Sequence, residues 1–330
     1  MVHVACLDVW APAVRAAVQA AAPQGWTLSF ADTYEAGHQQ ALASQAQVLV
    51  PGFASVDEAL LSAAPGVRVV HKWGIGLDAI DQPALQRRGI ALAITAGGNA
   101  GPVAELAIAL MLAVYRRIPY VNQAIRQGAW PTPEMRETCW QLAGKTIGLV
   151  GFGAIGRMLA RRLSGFDARI VYHDPQPVPP EVEQNLNATR LDWPGLLACS
   201  DIVSLHLPLL PATRRLIDAQ AIARMKPGAV LINTARGGLV DEDALCDALR
   251  RGHLRGAGLD AFEQEPPPAG HPLLQFPQVV VTPHAGGGVF DNVEPVARHV
   301  FRNVQALLAG QPITAADRVL DATSAAGGAA

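Results

Sequence analysis

Charge is scarce in this chain. Only 16% of its 330 residues are Asp, Glu, Lys or Arg, and the formal net charge is -2. So small an imbalance gives no field to draw in nucleic acid or an anionic membrane surface, and no run of basic residues has the length of a nucleic-acid patch. Cysteine is scarce too. Cys6, Cys139, Cys199 and Cys246 stand far apart with no C-x-x-C spacing, which excludes a zinc framework and a disulfide scaffold. Single, widely spaced thiols suit a reducing compartment. Long apolar runs are missing as well: the most apolar stretch, 103–115, contains Glu105 and is too short to span a bilayer. The first seven residues lack a basic leader and read as a strand rather than a signal peptide. These absences predict a cytoplasmic protein with no metal site, no nucleic-acid partner and no membrane contact.

What is present is apolar material, half of the residues, enough for two cores. Short apolar runs alternate with amphipathic segments, the pattern of βαβ units around parallel sheets. Early strands are expected at 2–7, 48–50, 67–72 and 90–94, with a helix over 12–21 between the first two. Residues 97–102, Gly-Gly-Asn-Ala-Gly-Pro, read as a breaker. A helix from Val103 to about Arg117 should follow. It is apolar on nearly all sides, so it is buried either in its own core or in a subunit interface. Later strands are expected at 146–150, 169–173, 202–205, 229–233, 256–260 and 279–282, then a helix over 289–308. The Ala/Gly/Ser-rich tail from Ala322 is expected to fray.

Residues 151–156 read Gly-Phe-Gly-Ala-Ile-Gly, between a strand and a helix. Alone, a G-x-G-x-x-G is weak evidence, but the setting matches a dinucleotide loop. Gly151 makes the turn, Gly153 lets a pyrophosphate approach bare backbone, and Gly156 lets the helix pack close. The pyrophosphate then meets the free N–H groups of the helix N-terminus. Asp174 ends the next strand, where a carboxylate accepts from ribose hydroxyls and repels a 2′-phosphate, so NAD is expected over NADP. The bland alternative is a structural βαβ turn with a solvated aspartate.

Ligands of an open α/β sheet bind at the carboxyl ends of its strands. The later strands end in Thr234-Ala235-Arg236, in Asp260 followed by Glu265, and in Thr282-Pro283-His284. Oxidising a 2-hydroxy acid requires a group to take the hydroxyl proton, and histidine suits that task. A carboxylate beside it fixes its tautomer, and a guanidinium grips the planar substrate carboxylate in a fork. Taken singly, Arg236 reads as a surface ion-pair residue, Glu265 as a loop carboxylate, and Asp260 and His284 as caps. Of the nine histidines, His206 also follows a strand, where it can line a cofactor cleft or simply pack. The joint arrangement at one sheet edge is what singles these residues out.

The sequence at this point resembles the D-isomer-specific 2-hydroxyacid dehydrogenases, in their phosphoglycerate dehydrogenase-like and hydroxypyruvate/glyoxylate reductase-like branch. The matching blocks are 72–81, 99–105, 151–156 with Asp174, 206–208, 233–237, 260–266 and 283–286. The resemblance implies an α/β protein of two Rossmann-like domains. A doubly wound NAD-binding domain, 100–287, is inserted into a flavodoxin-like substrate domain made of 1–99 and 288–330, with the active site in the cleft. It places the catalytic arginine, glutamate and histidine on Arg236, Glu265 and His284, and the contact to the nicotinamide carboxamide on Asp260. Ala154, Ile155, His206, Pro208, Thr213, Thr234, Ala235, His284 and Gly286 complete the implied cofactor contacts. Gly74-Ile75-Gly76 matches the backbone that holds the substrate carboxylate, with Lys72 and Trp73 beside it. A homodimer through the cofactor domains is also implied, which suits the all-apolar helix.

Three departures and two open readings remain. Pro102 stands where the family commonly has Ser or Thr. Relatives resembling formate dehydrogenases carry Gln at the position of Glu265, which disfavours that activity. No room follows residue 330 for the regulatory domain of the long phosphoglycerate dehydrogenases. Lys72 either pairs with a substrate phosphate or points to solvent, and Trp73 is either a pocket wall or core. Glyoxylate, hydroxypyruvate and 3-phosphohydroxypyruvate are candidate substrates. The competing function is an NAD(H)-sensing binding protein like the C-terminal-binding-protein corepressors, which keep the fold and the three catalytic residues.

Overall fold

A computed structural model describes residues 1–322; beyond Ala322 the expected frayed tail lies outside the described residues. The chain divides into two compact units, one of Met1–Asn99 with the segment from Gly288 onward, the other of Ala100–Gly287.

The first unit is built on strands β1 (His3–Cys6), β2 (Thr27–Phe30), β3 (Val48–Val50), β4 (Val69–His71) and β5 (Ala91–Ala93). They pair in parallel in the order β2-β1-β3-β4-β5, the flavodoxin-like winding, and β13 (Arg318–Leu320) adds antiparallel to β5. The inner strands are mostly Val, Leu and Ala, with Cys6 and His71 among them, because helices cover both faces. The long closing helix, Val293–Leu308, sends Val296, Val300, Phe301 and Val304 into one face.

Buried polar groups lock this unit's carboxyl edge. Asp317 accepts from the His299 ring at 2.8 Å, the Thr314 hydroxyl at 2.8 Å and the Ala96 N–H at 2.9 Å. Burial pushes its pKa up, but the hydrogen bonds outweigh it and hold the carboxyl at about 2. His71 is driven the other way, down to about 4, by burial. Its Nδ1 lies 3.1 Å from the Lys72 carbonyl, and Asn303 Nδ2 lies 3.1 Å from its Nε2. Because Nε2 faces an amide donor, the hydrogen belongs on Nδ1.

The second unit holds β6 (Thr146–Val150), β7 (Arg169–His173), β8 (Ala188–Arg190), β9 (Ile202–Leu205), β10 (Ala229–Asn233), β11 (Leu254–Leu259) and β12 (Val279–Val281). All are parallel, in the order β12-β11-β10-β9-β6-β7-β8, so the winding reverses between β6 and β9. That reversal opens a crevice at the carboxyl ends, the usual dinucleotide seat. The all-apolar helix spans Ala100–Tyr115 and buries Leu110, Met111 and Val114 in this unit's own core, which explains its composition. It begins earlier than the breaker reading allowed: Gly101 and Pro102 lie in its first turn, where a proline's missing N–H costs nothing. The sequence reading also passed over β2, β8 and β13, three or four residues each.

Asp317 ties stability to acid pH. A carboxyl held below its ordinary value stabilises the fold above the unfolded pKa, about 3.9 for Asp, and loses that contribution as pH falls toward about 2. Asp317→Asn is expected to lower the urea midpoint at pH 7 and to flatten its decline between pH 4 and pH 2, as read by fluorescence-detected unfolding. An unchanged slope in that range would remove Asp317 as its source.

Candidate active site

The glycine loop connects β6 to the helix Ala154–Leu163, at the point where the winding reverses. Its three glycines meet three different constraints. Gly151 has φ +91°, and a Cβ there would lie 2.3 Å from the His206 carbonyl oxygen. A Cβ at Gly156 would lie 2.3 Å from the Gly151 carbonyl oxygen, which is the close approach of helix to strand. At Gly153 a Cβ would meet nothing within 4 Å, so the loop leaves open space there. Ala154 and Ile155 form the first turn of the helix behind it.

Asp174 follows β7 and steadies the same loop. One carboxylate oxygen accepts from the Phe152 N–H at 2.7 Å and the other from the Gln176 N–H at 2.9 Å. At the neighbouring strand ends two polar atoms are buried without partners, His206 Nδ1 after β9 and Thr234 Oγ1 after β10. The other His206 nitrogen lies 2.8 Å from the Ser204 hydroxyl, and burial holds the ring neutral with its pKa near 3. An open glycine cradle, a carboxylate one strand away and two unsatisfied groups at the crevice fit a dinucleotide. Pro208 and Thr213 belong to the turn after His206, where the Thr213 hydroxyl accepts from the Leu210 N–H and donates to the Pro208 carbonyl.

Arg236, Asp260, Glu265 and His284 come together at the ends of β10, β11 and β12. Asp260 is 1% exposed, and its carboxylate holds the loop that follows β12. One oxygen accepts from the Thr282 hydroxyl at 2.6 Å and the Ala285 N–H at 2.8 Å, the other from the Gly286 N–H at 2.9 Å. Between these anchors His284 adopts φ +52°, left-handed for a residue with a Cβ, which costs about 1 kcal/mol. Its Nδ1 lies 2.7 Å from Glu265 Oε2, while Glu265 Oε1 accepts from the Phe262 N–H at 2.9 Å. Burial raises the Glu265 pKa. The bonds from His284 and Phe262 and the charges of His284 and Arg236 outweigh it, leaving a net depression. Glu265 is therefore an anion at neutral pH, and an anion facing Nδ1 keeps the hydrogen there and leaves Nε2 as the reactive nitrogen. Arg236 is anchored at both ends: Asn233 Nδ2 donates to its carbonyl and its own Nη1 donates to the Ala235 carbonyl, each at 2.8 Å.

The remaining expected residues, 72–76, belong to the first unit. The Lys72 carbonyl receives the Thr95 hydroxyl at 3.1 Å, the Trp73 N–H donates to the Pro51 carbonyl, and the Gly74 carbonyl accepts from the Thr95 N–H. Gly74 has φ +118°. Among the described residues, the N–H groups of Ile75 and Gly76 have no hydrogen-bond acceptor. Trp73 is half-buried and packs 4.8 Å from the Trp10 ring beside an apolar cluster. Sequence reasoning missed the positioning groups Thr282, Asn233, Phe262 N–H and Ser204. Only Thr282 and Asn233 had a signal, each closing a strand two or three residues before a singled-out side chain.

Residues 108–286 match the family model described as the NAD binding domain of D-isomer specific 2-hydroxyacid dehydrogenase. A glyoxylate reductase of Thermofilum pendens is 43% identical over 260 residues, which are 78% of this chain and 76% of that protein. A D-3-phosphoglycerate dehydrogenase of Mycobacterium tuberculosis is 40% identical over 264 residues, 80% of this chain. The chain spans about half, 49%, of that longer relative. Among solved structures, the D-mandelate dehydrogenase of Rhodotorula graminis superposes with a TM-score of 0.83 at 30% identity. The match covers 98% of this chain and 99% of that one.

The glycine geometry separates fold from cofactor. Gly156→Ala is expected to lower the melting temperature, because the new methyl strikes backbone. Gly153→Ala is expected to leave it unchanged while weakening NADH binding about tenfold or more by filling the cradle. Calorimetric melting and NADH fluorescence titration check the pair, and undiminished NADH affinity in Gly153→Ala would remove the loop from the cofactor site.

Proposed function

As the chain belongs to the D-isomer specific 2-hydroxyacid dehydrogenase family, we propose that it interconverts a small D-2-hydroxy acid and its 2-keto acid, with His284 as the general acid–base. The NAD that such a domain binds supplies the hydride acceptor or donor. The observation that carries the reading is the 2.7 Å contact between His284 Nδ1 and an ionised Glu265, which leaves Nε2 to exchange a proton with the substrate oxygen. In the reductive direction His284 gives that proton to the oxygen of the former carbonyl. In the oxidative direction it takes the hydroxyl proton. Arg236 grips the substrate carboxylate and polarises the adjoining keto oxygen. Asp260 holds the loop carrying His284 and keeps the nicotinamide contact as a second role. The direction favoured is reduction, with glyoxylate, hydroxypyruvate and 3-phosphohydroxypyruvate as test acids and Lys72 as the candidate partner of a phosphate.

We also propose that two copies associate through the second unit. The helices Ile118–Arg126 and Thr132–Thr138 contain no buried residue. Ile118 is 51% exposed and Trp130 76%. These side chains are candidates for the contact, beside the long helix, whose Leu106, Ile108 and Leu112 are only partly buried.

The proposed activity is tested by NADH oxidation over the panel of 2-keto acids. His284→Ala should lower kcat by a factor on the order of 10²–10⁴, and Arg236→Lys should lower kcat/KM because a point charge does not reproduce the fork. Tight NAD(H) binding without turnover of any acid would replace the enzyme reading with that of a cofactor sensor. For association, Trp130→Glu combined with Ile118→Asp is expected to shift sedimentation velocity from dimer to monomer. A wild-type monomer at micromolar concentration would refute the interface.

A further inference from the structure

The crevice edge beyond Asp174 carries a cation that the proposed chemistry does not use. Arg190 is the last residue of β8, which runs parallel to β7 with Tyr172 opposite Arg190, so its side chain starts from the same sheet edge as Asp174. The guanidinium is exposed yet fixed: one Nη2 donates to the Asp174 carbonyl at 2.8 Å and to the Pro175 carbonyl at 3.2 Å. Among the described residues it forms no ion pair, with Asp174 or with any other acid. The Asp174 carboxylate is turned the other way, onto the Phe152 and Gln176 N–H groups. One backbone segment therefore presents an acid bound to the glycine loop and an arginine bound to its own carbonyls, with the rest of the arginine fork facing solvent.

Asp174 stands where a dinucleotide's adenosine ribose is recognised, and an arginine close to that point is the group that accommodates a 2′-phosphate. We propose that Arg190 is a second determinant of cofactor choice, a preplaced 2′-phosphate receptor whose use is suppressed only by the Asp174 carboxylate. The inference rests on the NAD reading of the glycine loop. Preference for the unphosphorylated dinucleotide then comes from one repulsive charge, not from the absence of a phosphate-binding group. An arginine anchored through one nitrogen keeps its other donors for a phosphate, and little side-chain entropy is left to lose on binding.

The test uses two fragments without a nicotinamide, so it is independent of turnover. Isothermal titration calorimetry compares ADP-ribose with adenosine 2′,5′-bisphosphate on the intact chain and on Asp174→Ser, Asp174→Asn, Asp174→Ser/Arg190→Ala and Asp174→Ser/Arg190→Lys. The quantity read is the ratio of the two affinities within each variant, which cancels any general loosening of the loop. Asp174→Asn, which keeps an acceptor for one of the two N–H groups, serves if the serine variant folds poorly. Removing the acid should shift the ratio toward the bisphosphate by about tenfold or more, the worth of a charge-assisted contact. Arg190→Ala should abolish that gain and Arg190→Lys should restore part of it. A gain that survives Arg190→Ala, or no gain on removing the acid, would overturn the role of Arg190 while leaving the NAD site standing. Failure of ADP-ribose to bind the unaltered chain would overturn the site itself.

Discussion

The candidate site of the second unit hangs on one buried carboxylate. Asp260 collects a hydroxyl and two N–H groups from the five residues after β12 and leaves their backbone little freedom. Inside that clamp His284 is held in a conformation a free chain would avoid. The cost is about 1 kcal/mol, and the three contacts to a charged acceptor, each worth about 1.5–3 kcal/mol, exceed it. Asp260 is itself rigid because β11 is an inner strand between β10 and β12. The order of dependence runs from a parallel sheet, to the strand end it fixes, to a carboxylate, to a loop, and only then to an imidazole.

Much of this was legible in the sequence, and the reasons are local. The glycine loop, Asp174, Arg236, Glu265 and His284 each sit one to six residues past an apolar run, and a parallel sheet gathers such positions on one edge. The long apolar helix was legible as buried, but composition alone did not decide between its own core and a neighbour's. Its start was misread because Gly and Pro signal breaks in general, whereas a proline in a first turn continues the helix. The short strands β2, β8 and β13 are too brief to carry a period, and tertiary pairing makes them strands. Arg190 went unnoticed for that reason: without β8 nothing places it beside Asp174.

The positioning groups were illegible for a different reason. Phe262 and Ala285 act through backbone N–H, which no side-chain pattern encodes, and Ser204 looks like any small residue in a buried strand. The polar lock around Asp317 draws on His299 and Thr314 and on Ala96, which stands over two hundred residues before them in the chain. Such pairings become visible only once the chain is seen to leave the first unit at Asn99 and return to it at Gly288.

That departure and return bear on how the protein is made. A ribosome releases residues in order, and domains fold as units as they emerge. The unit of 100–287 is contiguous, so all seven of its strands are available before the helix Val293–Leu308 has been synthesised. The unit that begins first is therefore completed last. Until that helix arrives, one face of its sheet, with Val4, Val48 and Val69, lacks its cover of Val296, Val300 and Val304. For that interval the nascent chain carries a finished domain and an open apolar sheet at once, and the sheet is the part a chaperone would have to shield.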